Sequence, residues 1–247
     1  MTLRTTRPPI RNPRVRTLRT ARSGWYLLAR ALVRAGRFDA AGSVLVRAAL
    51  QGVGRPLNEH RTVLVGGLSR VGKSTLGAAL AARHGFRHIR LDYFVNRIHA
   101  VNDPVGRARF RSSFYHRLLS HVPVGHVIEG DDLVLEDRWN LSSTFGQEPL
   151  EMGMLGGLGE SFALPAFVVG TAEADLEDRV AILQQDDSWI AELSEVERRG
   201  YAEFMIHGSA LLRERAEDAG VTYLELGGTD FRSAIEAFAD RIAREAR

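Results

Sequence analysis

The chain has 247 residues, an ordinary apolar share and a net charge of +3. That is length enough for one sizeable domain with an appendage. It contains no cysteine, which excludes disulfides, thiolate metal sites and a cysteine nucleophile. The lack of cysteine suits a reducing compartment, and a cytoplasmic location is expected. No apolar run approaches the ~20 residues that span a bilayer, so an integral membrane protein is not expected.

The charge is unevenly placed. Ten of the 33 basic residues, all arginines, precede Asp39, and none of the 30 acidic residues does. Residues 1–24, with Pro8, Pro9 and Pro13 among arginines and threonines, read as a disordered tail. Three roles compete for it: contact with an anionic partner such as nucleic acid or lipid headgroups, an organelle transit peptide, or solvated slack. Residues 25–60 read as a helical extension and linker. Leu27, Leu28, Ala31, Leu32 and Val33 form an apolar stripe, Gly36 interrupts it, and Asp39 is expected to cap a second helix. Such a hairpin packs on the domain that follows or, being basic and amphipathic, lies on a membrane. Gln51 to Glu59 reads as linker.

The third region, 61–247, opens on a β-branched run, Arg61 to Gly66, expected as a buried strand. Next come Gly67, Leu68, Ser69, Arg70, Val71, Gly72, Lys73, Ser74 and Thr75. They fit G-x-x-x-x-G-K-S/T, the phosphate-cradling P-loop. Lys73 is the only lysine in the chain. In such a loop a compact, mobile ammonium reaches the β- and γ-phosphates as a point charge, where a planar guanidinium fits less well. The glycines let successive N–H groups point at phosphate, and the following helix adds its N-terminal dipole. Ser74 offers a hydroxyl to Mg²⁺.

A helix from Leu76 to Ala82 ends at Gly85, and Phe86 to Leu91 reads as a second strand. Asp92 stands at its carboxyl end, where ligands of open α/β sheets sit. It is either a base for a substrate hydroxyl or a plain cap for a helix near Tyr93. Residues 105–121 read as a basic helix. His126 to Gly130 reads as a third strand ending in Glu129, the candidate Mg²⁺ acid, with Asp131 and Asp132 next to it. Residues 133–164, rich in glycine, read as a loop near the substrate. Pro165 to Gly170 gives a fourth strand, Ala172 to Leu183 a helix carrying Arg179, and Glu195 to Ala219 a long helix opened by Arg198 and Arg199. Val221 to Leu226 is a fifth strand, and Asp230 caps the last helix. His84 and His88 are four apart, but Gly85 separates helix from strand, so they are not expected to share a metal.

Five strands alternating with helices predict a doubly wound parallel sheet. Gly66 to Thr75, Leu91 to Phe94 and Val127 to Gly130 resemble the small P-loop kinase superfamily, which includes adenylate, uridine and shikimate kinases and the zeta-toxin–chloramphenicol phosphotransferase group. Asp187 to Phe231 is similar to bacterial kinase-like ATPases of that superfamily. The resemblance covers about residues 61–247. It implies a three-layer α/β/α sandwich with strand order 2-3-1-4-5. It also implies an ATP- and Mg²⁺-dependent phosphotransferase acting on a hydroxyl of a small molecule. Lys73 would clamp phosphates, Ser74 and Glu129 would serve Mg²⁺, and Asp92 would activate the acceptor. Arg179, Arg198 and Arg199 would supply lid charge where the phosphoryl group moves. Gln184 to Ser194 departs from the arginine-dense lid of adenylate kinase. The alternative is a nucleotide-gated ATPase or regulatory binding protein with no small-molecule acceptor.

Overall fold

The structure is a computed structural model and describes residues 13–51, 53–91, 104–130, 133, 153–185, 189–228 and 230–247. Two helices come first, α1 (Pro13–Arg34) and α2 (Phe38–Leu50). Then β1 (Val63–Gly66), α3 (Lys73–His84), β2 (Arg87–Arg90), α4 (Pro104–His121) and β3 (His126–Glu129) follow. The remainder is α5 (Gly153–Phe162), β4 (Ala166–Gly170), α6 (Leu176–Gln184), a 3-10 turn at Trp189–Glu192, α7 (Glu195–Asp218), β5 (Thr222–Glu225) and α8 (Phe231–Glu245).

The five strands are parallel and ordered β2-β3-β1-β4-β5, the order expected of the P-loop kinase-type sheet. The β1 and β3 strands are buried along their whole length. A parallel strand covered on both faces is a continuous apolar run, as Val63-Leu64-Val65 is. The α3 helix packs on β2 and β3 and against α8, and α7 packs on β4 and β5, beside α6. Outside α4 lie α2 and then α1. The α2 helix buries Ala41, Leu45, Val46, Ala48 and Ala49, so the hairpin packs on the domain. Among the described residues no helix is long and apolar enough to cross a membrane.

Three local expectations differ from the structure. The chain is helical from Pro13, within the expected tail. Proline is tolerated at the first position of a helix, and the arginines beyond it are good helix formers. Asp39 stands inside the first turn of α2 and does not cap it; Arg37 is at the cap position with no side-chain bond. Part of the expected glycine loop is helix α5, whose Leu155 and Leu158 are buried. Trp139, Asn140 and Phe145 in the same stretch lie outside the described residues, as do Asp92, the helix expected near Tyr93, Asp131 and Asp132. The capping assignment at Asp230 holds: its Oδ1 accepts from the Ser233 amide at 3.0 Å.

Candidate functional site

The loop between β1 and α3 is held tightly from three sides. Gly67 has φ +143°, and a Cβ there would lie 2.3 Å from the carbonyl oxygen of Val169. Gly72, φ +107°, opens α3, and its Cβ would come 2.9 Å from Leu226 Cδ1 and 3.0 Å from the Phe231 ring. Only glycine meets both demands. Leu68 and Val71 are fully buried and anchor the loop to the core. Lys73, also buried, folds back so that Nζ donates to the Leu68 carbonyl at 2.6 Å. An ammonium, a helix start and a curled loop backbone thus converge at the carboxyl edge of the sheet, an arrangement that attracts anions.

Beside it lies a buried carboxylate. Glu129 ends β3 and is fully buried. Its Oε1 accepts from Ser74 Oγ at 2.7 Å and Arg90 Nε at 3.0 Å, with His88 Nε2 at 3.3 Å. Burial acts to raise its pKa; the contacts with His88 and Ser74 and the charge of Lys73 outweigh it and hold the carboxyl below its usual range. It is therefore an ionised acid at neutral pH. Its Oε2 is buried with no hydrogen-bond partner among the described residues. An orphaned carboxylate oxygen next to a hydroxyl fits a hard divalent cation such as Mg²⁺. Among the described residues no group of three or more His, Asp or Glu could hold a metal ion.

The arginines are differently placed. Arg179 on α6 is buried and bonds through Nη2 to the Arg70 carbonyl, with Met205 Sδ at 3.9 Å. Burial lowers its pKa, and nearby Tyr201 raises it. Arg198 and Arg199 open α7. Arg198 donates to the Leu193 carbonyl at 2.9 Å, and Arg199 pairs with Glu177 at 2.8 Å. Leu193 lies in the bend just before α7, and Glu177 is in the first turn of α6.

The structure thus gathers Gly67, Leu68, Ser69, Arg70, Val71, Gly72, Lys73, Ser74, Thr75 and Glu129 around one edge of the sheet, with Arg179 behind the loop. Three further residues belong to this edge and escaped the sequence. His88 and Arg90 share a face of β2, and the pairing of Arg90 with Glu129 aims that face at the carboxylate. Glu225, at the end of β5, accepts from the amides of Ala172 and Gly227 at 3.0 and 2.5 Å, tying the turns after β4 and β5 together. Tyr223 donates to the same carboxylate at 3.2 Å, and burial, then that negative charge, pushes its hydroxyl pKa well up. The alternation of Tyr223 and Glu225 was the available signal. His84 bonds Asp240 at 2.8 Å, so the two histidines four apart serve different partners.

No protein-family model matches the chain, and no curated protein matches it. Among solved structures the chain is similar to shikimate kinase from Bacteroides thetaiotaomicron, at 15% identity and a TM-score of 0.45. That likeness spans 75% of this chain and 97% of the other.

Proposed function

We propose that this chain is a phosphotransferase that moves the γ-phosphoryl group of ATP to a hydroxyl of a small molecule. The observation that carries the reading is the pairing of Lys73, folded over its loop, with the Ser74–Glu129 contact beside it. Lys73 and the loop amides would hold the β- and γ-phosphates. Ser74 and Glu129 would hold Mg²⁺, which when bound neutralises charge on those phosphates. The acceptor oxygen forms the new P–O bond as the bond to the β-phosphate oxygen breaks and ADP leaves. The hydroxyl proton passes to a carboxylate, and Asp92, one residue past the second strand region, is proposed for that task.

The test is acceptor-dependent ADP release from a broad metabolite pool, with Lys73→Ala as the blank. A stimulated rate that vanishes in the blank supports the reading. Asp92→Asn should then lose phosphoryl transfer while nucleotide affinity stays within a few-fold. The engagement of Arg198 with the Leu193 carbonyl and of Arg199 with Glu177 favours the second reading, a nucleotide-gated ATPase without an acceptor. That reading wins if ATP binds and hydrolyses slowly and no acceptor accelerates ADP release.

A further inference from the structure

The outer face of α1 has a character that phosphate chemistry does not call on. Ala29 and Val33 are buried, and Trp25, Tyr26 and Leu32 pack partly into the core. On the other side Leu27 is 69% and Leu28 45% exposed. Ala31 is exposed between them, and Arg30 and Arg34 border the same patch. This helix is the outermost layer, packed on α2. It belongs to the 38 residues that carry ten arginines and no acid.

We infer that this face docks on an anionic lipid surface, as a peripheral and reversible contact. Its two components point to one partner. Leucines on the solvent side of a helix gain by entering the boundary between headgroups and acyl chains. Guanidinium groups beside them reach the lipid phosphates while their stems stay with the apolar layer. A nucleic acid would use the arginines alone, since phosphodiester contacts come from charged and polar groups. A second copy of the chain docked face to face would set an acid-free arginine helix against itself, and like charges repel.

The test uses the full chain, sedimented with vesicles of phosphatidylcholine alone or mixed with phosphatidylserine. Preferential retention on the anionic vesicles, weakened by added salt, is expected. Leu27→Glu with Leu28→Glu should reduce binding at least tenfold, by loss of insertion and by repulsion. Arg30→Gln with Arg34→Gln should reduce it by roughly tenfold or more. Both pairs are exposed, so the variants should keep the parent's melting curve. Equal retention on neutral vesicles overturns the inference, as does unchanged binding by the leucine variant. Tight binding to an RNA oligonucleotide that needs the arginines but not the leucines reassigns the face to nucleic acid. A doubled mass in light scattering that Leu27→Glu abolishes reassigns it to a second copy.

Discussion

Arg179 commits a buried guanidinium to one backbone carbonyl and the weakly accepting Met205 sulfur. Its Nε has no hydrogen-bond partner among the described residues, and Nη2 reaches the Arg70 carbonyl. Arg70 stands at φ +66°, a conformation that is uncommon for a residue with a side chain. The bond pins that carbonyl, and with it the curl of the loop. Arg179→Met keeps most of the volume and removes both the bond and the buried charge. The two losses oppose each other, so stability in denaturant melts should change by less than about 1 kcal/mol, since removing an incompletely paired buried ion relieves its desolvation. Nucleotide affinity should fall by about tenfold, the worth of one charge-assisted hydrogen bond; an unchanged affinity would show that the loop needs no brace. Gly77 makes a second residue-scale case. A Cβ there would lie 2.4 Å from His88 Nε2. Gly77→Ala should turn the imidazole away from Glu129 and cost about 1–3 kcal/mol in a urea melt, as overpacking does. At this scale the site was half legible. Lys73, Ser74 and Glu129 stand at sequence positions with a local signature. His88 and Arg90 do not: on a four-residue edge strand they look like a solvated face. Only the register that sets Arg90 beside Glu129 gives them a partner, and register is not local information.

The elements were legible where one physical demand dominates. Strands β1 and β4 were legible because buried parallel strands are continuous apolar runs between turn residues, whereas the edge strands β2 and β5 are only partly buried and carry polar and charged side chains. The long helix α7 is capped in the structure by Ser194 and Glu197, which form a reciprocal capping box. Helix α5 was missed because its four glycines, Gly153, Gly156, Gly157 and Gly159, argue for loop. Tertiary packing overrides that: a Cβ on Gly159 would be 3.2 Å from Ala166 Cβ, so the helix lies close on the start of β4. Elements are also tied by charge. At the end of α3, Arg83 bonds both carboxylate oxygens of Asp240 on α8 at 3.0 Å, and His84 adds a bond at 2.8 Å. These contacts, that of Arg83 foremost, hold the Asp240 carboxyl below its usual range. A carboxyl depressed in the folded state contributes stability above its unfolded pKa, near 4, and loses it as pH falls through the folded value. Asp240→Asn should therefore lower the melting temperature at neutral pH, modestly for an exposed pair. The gap between the two proteins should close as pH drops below about 4, and a gap that persists there would assign the effect to something other than ionisation.

At the scale of the whole molecule the question is whether residues 61–247 stand alone, as the motif-bearing region does in the sequence. The packing argues that they do not. Gly42 on α2 comes so close to α4 that a Cβ would lie 3.3 Å from the Phe114 amide. Leu45, Val46 and the alanines around them join the same buried cluster as the sheet. The segment after them, which reads as a linker, is stitched down as well. Asn58 donates to the His84 carbonyl at 2.6 Å, Gly125 N to the His60 carbonyl at 2.6 Å, and Arg87 to the Arg55 carbonyl at 2.6 Å. Burying one Leu or Val side chain stabilises by about 1.5–3 kcal/mol. Val33, Leu45 and Val46 alone therefore supply several kcal/mol, against a total stability of about 5–15 kcal/mol for a domain. A chain shortened to begin at Val53 loses that burial and uncovers the α4 surface beneath. It should melt well below the full chain, or fail to melt cooperatively and bind a hydrophobic dye. A shortened chain with the parent's melting temperature would make the two helices a detachable arm. The shared core instead ties α1, through Ala29 and Val33, to the same buried cluster as the sheet that carries the Gly67–Thr75 loop.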